Sequence, residues 1–133
     1  MKVFLVDDDI IFHDFLKEHF PAVQIEHFKD WGSLYEKILE DKPDKIIVDL
    51  NFEKTPYHKL LSKTPELEGL VIAKRLQELY PELPILLASR FIDIDVKLEL
   101  RRLNIPYIEG FADLSKTKEK LKDFFYCGKY VKK

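Results

Sequence analysis

The sequence predicts an α/β fold in which a five-stranded parallel sheet carries helices on both faces. Two patterns carry this expectation. Short apolar runs are continuous rather than alternating, as strands covered on both sides require. Amphipathic segments of helical period separate them, so that strand and helix alternate along the chain.

The runs Val3 to Val6, Ile46-Ile47-Val48 and Ile85-Leu86-Leu87-Ala88 are the strongest strand candidates. Weaker runs at Val23 to Ile25 and Ile105 to Ile108 bring the expected number of strands to five. Ile11, Phe12, Phe15, Leu16 and Phe20 fall on one helical face, and Pro21 stops that helix. Trp31, Leu34, Tyr35, Ile38 and Leu39 repeat the spacing before Pro43. Glu66 to Tyr80 reads as a third helix, with Pro65 in its first turn and Pro81 after its end. Leu114, Leu121, Phe124 and Phe125 mark the last helix. Ile92, Ile94, Val96, Leu98 and Leu100 alternate with polar residues, which by period favours a strand. A helix is nevertheless expected there, because two parallel strands ending near Ala88 and Ile108 need a crossover between them.

The chain has 133 residues, the length of one domain, and a core at this size needs no disulfide. One domain over residues 1–133 is expected, with its core over about 1–126 and a short C-terminal tail. Hydrophobic residues make up 46% and charged residues 35%, ordinary globular composition. The net charge of −2, with basic residues spread along the chain, gives no reason to expect a nucleic acid or an anionic membrane as partner. A basic cluster at Lys129, Lys132 and Lys133 reads as a solvated tail. The single cysteine, Cys127, cannot form an internal disulfide. The first apolar run is too short for a signal peptide or a membrane span, so a cytoplasmic protein is expected.

In parallel α/β sheets, ligand chemistry sits beyond the carboxyl ends of the strands, where the strand order reverses. After the first run come Asp7, Asp8 and Asp9; after the third, Asp49, Leu50 and Asn51; after the fourth, Ser89. An aspartate in such a place can simply cap the next helix, and Asp9 alone reads that way. Carboxylates gathered from separate strands would instead repel one another unless a cation bridges them. Oxygen ligands without imidazole or thiolate suit Mg²⁺ or Mn²⁺. Asp7 and Asp8 with Asp49 and Ser89 are therefore expected to form one acidic, metal-binding pocket.

These residues also carry a family resemblance. Val3-Phe4-Leu5-Val6-Asp7-Asp8-Asp9 resembles the opening of the CheY-like receiver domains of response regulators, whose first strand ends in an acidic pair. Ile46-Ile47-Val48-Asp49-Leu50 resembles their third strand with its phosphoacceptor aspartate. Pro84 to Ser89 resembles their fourth strand, which ends in a hydroxyl residue, and Glu68-Gly69-Leu70 resembles the Asp-Gly-Leu that opens their third helix. The similarity spans nearly the whole chain. It implies a flavodoxin-like (βα)5 sandwich and a phosphorylation-controlled interaction switch in two-component signalling. Asp49 would accept a phosphoryl group from a sensor histidine kinase or phosphotransfer protein. Asp8 and Asp49 would bind Mg²⁺ or Mn²⁺ directly, Asp7 through water, and the Asn51 carbonyl would complete the protein ligands. Ser89 would donate to a phosphoryl oxygen, and Tyr107 would be the switch aromatic, although plain core packing explains Tyr107 equally well. A downstream protein, or a second copy of the chain, would dock on the face of the fourth helix, fifth strand and fifth helix.

Two departures from the family stand out. Its lysine after the fifth strand, usually followed by proline, falls here on Glu109 or Gly110, depending on register within Pro106 to Phe111. The missing charge-assisted hydrogen bond is worth ~1.5–3 kcal/mol to a phosphorylated state. The connection from Asp49 to Gly69 takes 20 residues, longer than the family's crossing and without its Met-Pro pair. Lys54, His58, Lys59 and Lys63 lie in that stretch, and one of the lysines could stand in for the absent one.

Two other functions fit the sequence. A pseudo-receiver would keep the fold as an interaction module without phosphorylation. Asp7-Asp8-Asp9 with Ser89 can also be read as two motifs of a haloacid-dehalogenase-like phosphatase. That family wants Thr or Val where Ile11 stands, so a signalling domain rather than an enzyme is expected. His13, His19, His27 and His58 show no ligand spacing, and four glycines are too few for a phosphate-cradling loop.

Overall fold

The computed structural model describes residues 1–7, 10–49, 65–89, 92–110 and 113–126. Asp8, Asp9, Asn51, the lysines of the long connection, Phe111 and the C-terminal tail lie outside them. The elements run β1 (Lys2–Val6), α1 (Ile10–His19), β2 (Gln24–Phe28), α2 (Trp31–Glu40), β3 (Lys45–Asp49), α3 (Pro65–Leu79), β4 (Ile85–Ser89), α4 (Ile94–Arg102), β5 (Tyr107–Glu109) and α5 (Leu114–Tyr126). All pairings are parallel, in the order β2-β1-β3-β4-β5. This is the five-stranded α/β architecture that the alternation of runs predicts.

The central strands are buried along nearly their whole length, which is why their sequences show no polar alternation. The strand pleat sends alternate side chains to two cores. Phe4, Val6, Ile46, Val48, Ile85 and Leu87 meet α2, α3 and α4. Val3, Leu5, Ile47, Leu86, Ala88 and Ile108 meet α1 and α5. β1 has β2 on one side and β3 on the other, so the chain reverses its direction of travel across the sheet between β1 and β3. The crevice at their carboxyl ends is the expected ligand position.

The stretch from Ile92 to Leu100 is helical where it follows Asp93. Its alternation hides two sets spaced by four, which is also a helical repeat. Ile92, Val96 and Leu100 are buried, whereas Ile94 and Leu98 face outward. Four of the apolar residues that mark the helical faces are exposed: Ile11, Tyr35, Leu39 and Leu114. Each lies at the margin of its apolar stripe, beyond the arc that the sheet can cover. β2 runs to Phe28, three residues past the end of its apolar run, because an edge strand buries one face only and carries polar Glu26 and His27. The third helix starts with Pro65 in its first turn, as expected, and ends at Leu79, one residue before Tyr80.

Candidate functional site

The site is built from strand ends. Val6 pairs with Val48 across β1 and β3, so Asp7 and Asp49 follow as neighbours at the reversal in strand order. Asp49 in turn pairs with Ala88 of β4, which places Ser89 one strand further along. Adjacent strands stand ~4.8 Å apart, so Asp7, Asp49 and Ser89 form a continuous row at the carboxyl edge. Asp7 and Ser89 are buried, and Asp49 is partly exposed. Asp8 and Asn51, the other expected metal ligands, lie outside the described residues.

The backbone of Asp7 is held from β2. Its N–H donates to the Phe28 carbonyl at 3.0 Å, and its own carbonyl lies 2.6 Å from His27 Nε2. A carbonyl can only accept, so Nε2 carries the proton of that bond. Two carboxylates brought side by side repel one another unless a proton, a donor or a cation offsets their charge. Asp7, Asp49 and Ser89 offer hard oxygen donors of the kind a divalent cation such as Mg²⁺ takes, with no imidazole or thiolate among them.

The His27 ring packs against His13 of α1 at 4.9 Å between centroids. Burial first, then the charges of His27 and Lys17, hold the His13 imidazole below its ordinary range, against the opposing pull of Asp14. The sequence shows no sign of this pair, because residues 13 and 27 meet only when α1 packs on the edge strand.

On β5 the register is now fixed. Leu87 pairs with Tyr107, Ala88 with Ile108 and Ser89 with Glu109. Ile108 points into the core of α1 and α5, so Tyr107 and Glu109 point to the opposite face. Tyr107 packs at the edge of the core shared with α2, α3 and α4, and its hydroxyl accepts from Arg101 of α4 at 3.3 Å. Glu109 reaches α4 as well: one oxygen lies 2.6 Å from Lys97 Nζ, and the other accepts from the Ile92 N–H at 2.9 Å. These two donors hold its carboxyl below the usual range, the lysine first. Gly110 follows at φ 73°, in the left-handed region, and its N–H donates to the Ser89 carbonyl at 2.7 Å. The residue beside the pocket thus contributes backbone only, and the carboxylate before it is turned away towards α4.

No protein-family model and no curated protein sequence matches the chain. Solved structures do. A response regulator from Thermotoga maritima superposes with a TM-score of 0.72 at 20% identity, over 92% of this chain and 95% of that one. The receiver domain of a two-component response regulator from Bacteroides fragilis gives 0.70 at 19% identity, over 92% and 94%. The chain has the receiver fold. NtrX from Brucella abortus gives 0.72 at 17% identity over 92% of this chain, which spans 26% of that longer protein. Within the receiver fold, β1, β3 and β4 of this chain end in Asp7, Asp49 and Ser89 at one edge of the sheet, and Tyr107 starts β5 beside Leu87, two residues back from that edge.

Proposed function

We propose that this chain is a receiver in two-component signalling, with Asp49 as phosphoacceptor. The observation that carries the proposal is the placement of Asp49 between Asp7 and Ser89, in the crevice where the strand order reverses. A carboxylate oxygen of Asp49 attacks the phosphorus of a phosphohistidine on a cytoplasmic kinase or phosphotransfer protein. The P–N bond breaks, and the imidazole leaves with its electron pair. A bound Mg²⁺ or Mn²⁺ would neutralise the charge between carboxylate and phosphoryl oxygens. Asp7, Asp8, Asp49 and the Asn51 carbonyl are the residues that would hold it. Ser89 donates to a phosphoryl oxygen, and Tyr107, two residues before Ser89's partner on β5, reports that contact to α4. Ile94 and Leu98, both exposed on α4, offer an apolar docking face for a downstream protein or a second copy.

Intact-mass measurement with a small phosphoryl donor tests this reading. One phosphate should be added in the presence of Mg²⁺ and none in its absence, and Asp49→Ala should abolish the adduct. A chain that takes no phosphate from any donor, and binds no beryllium fluoride, is not a phosphorylated switch. The second reading, an interaction module that works without phosphorylation, draws on one specific feature. The position just after β5 supplies Gly110 where a cation would stabilise the phosphoryl group.

A further inference from the structure

Glu109 has an arrangement that phosphoryl binding does not require. Its two carboxylate oxygens are divided between two different pieces of chain: Lys97 on α4, and the backbone N–H of Ile92 in the connection between β4 and α4. Ser89, which starts that connection, is paired with Glu109 itself. One side chain therefore ties the end of β5 to Ile92 and to the helix beyond, while its backbone pairs with Ser89 at the end of β4. We propose that Glu109 is an electrostatic latch that positions α4 and Ile92 just ahead of it, and that an anionic group on Asp49 opposes it. The second half rests on the proposed phosphorylation of Asp49; the latch does not.

The antagonism follows from position and sign. Asp49 lies on β3 and Glu109 on β5, with β4 between them, so their strands are ~10 Å apart. A lysine near the phosphoryl group attracts it and draws β5 towards the pocket. A carboxylate at this distance, about one Debye length in physiological salt, repels the added charge. By linkage, whatever loosens the latch must favour the anion to the same degree. The helix is then released by repulsion, where a lysine clamp would draw it in.

Amide exchange at Ile92, followed by NMR on the full chain, tests the latch without a phosphoryl donor. Glu109→Leu should speed exchange there at least about tenfold, since the N–H loses its acceptor. The charge swap Glu109→Lys with Lys97→Glu should restore protection in the first turn of α4 but not at Ile92, because lysine cannot accept. Protection at Ile92 should fall as pH drops through the titration of Glu109, which faces Lys97 from α4 and Lys120 from α5. A residue that merely packs would show neither the split nor the pH profile. Unchanged Ile92 exchange in Glu109→Leu overturns the latch.

The second arm uses beryllium fluoride with Mg²⁺. Binding should lower Ile92 protection in the parent chain, and Glu109→Gln should bind about three- to tenfold more tightly. Equal affinity of the two overturns the antagonism. Absence of binding to every variant overturns both the antagonism and the phosphoacceptor reading, and the exchange arm alone then decides the latch.

Discussion

The ammonium of Lys45 donates a hydrogen bond to the carbonyl of Phe124, joining the first residue of β3 to the last turn of α5. The same nitrogen stands 5.2 Å from the centre of the Phe124 ring. Lys45 is only 8% exposed, so its charge is compensated inside the fold by a carbonyl at a helix C-terminus and by an aromatic face. Lys45→Ala should lower the unfolding free energy by ~2–4 kcal/mol, through lost stem packing and a carbonyl left without its charged donor. Lys45→Met, which keeps the stem, should cost less. Urea denaturation of the two variants measures both, and equal costs would mean that the charge contributes nothing.

Metal binding at the carboxyl edge should be weak, because the ion keeps several waters. Titration with Mn²⁺ should broaden NMR signals of Asp7, Asp49 and their neighbours, and Asp8→Asn should weaken that broadening. An unchanged titration in Asp8→Asn would place the ion elsewhere.

A cation beside the pocket should strengthen its hold on an anion. Gly110→Lys supplies one at the residue whose N–H already meets the Ser89 carbonyl. Beryllium fluoride affinity should rise about five- to thirtyfold, equivalent to ~1–2 kcal/mol. Stability should fall by a similar ~1–2 kcal/mol, since lysine is strained at φ 73°. Glu109→Lys should do worse, because it sets two ammonium groups against each other on the α4 side. Should Lys54, Lys59 or Lys63 already fill the role, Gly110→Lys would gain nothing, and one loop Lys→Ala would lose affinity sharply.

Acid should weaken the fold through His13. Its folded pKa lies below the ordinary value of 6.5, chiefly from burial and then from the charges of His27 and Lys17. The unfolded chain therefore binds the proton more readily, and stability is lost as pH falls from about 6.5 through the lowered pKa. Its Nδ1 has no hydrogen-bond partner among the described residues, so protonation brings no compensating bond there. His13→Gln should flatten the decline between about pH 7 and pH 5, seen as a smaller drop in melting temperature. A parallel decline in both proteins would exonerate His13.

Much of this was legible in the sequence. Strands buried on both faces must be apolar throughout, so Val3 to Val6, Ile46 to Val48 and Ile85 to Ala88 announce themselves. The same logic places Asp7, Asp49 and Ser89 at strand ends, because a polar residue closing an apolar run marks where the strand leaves the core. The 92–100 stretch was readable only through the topological need for a crossover, since a period of two contains a period of four. The exposed positions of Ile11, Tyr35, Leu39 and Leu114 were not readable, because a helix pattern defines a stripe and not its covered width.

What the sequence by itself determined is therefore local: which segments are strands, which are helices, and which polar residues end the strands. Burial on both faces dictates the first two, and the limits of the core dictate the third. Only the tertiary structure decided which of those ends meet. The order β2-β1-β3-β4-β5 sets Asp7 beside Asp49, and Ser89 beside Glu109. The pleat of β5 turns Glu109 to Lys97 and leaves Gly110 at the pocket, a choice that a one-residue shift in register would reverse. Lys45 at Phe124 and His27 at the Asp7 carbonyl are of the same kind. Such contacts join residues far apart in the chain, and no local period records them.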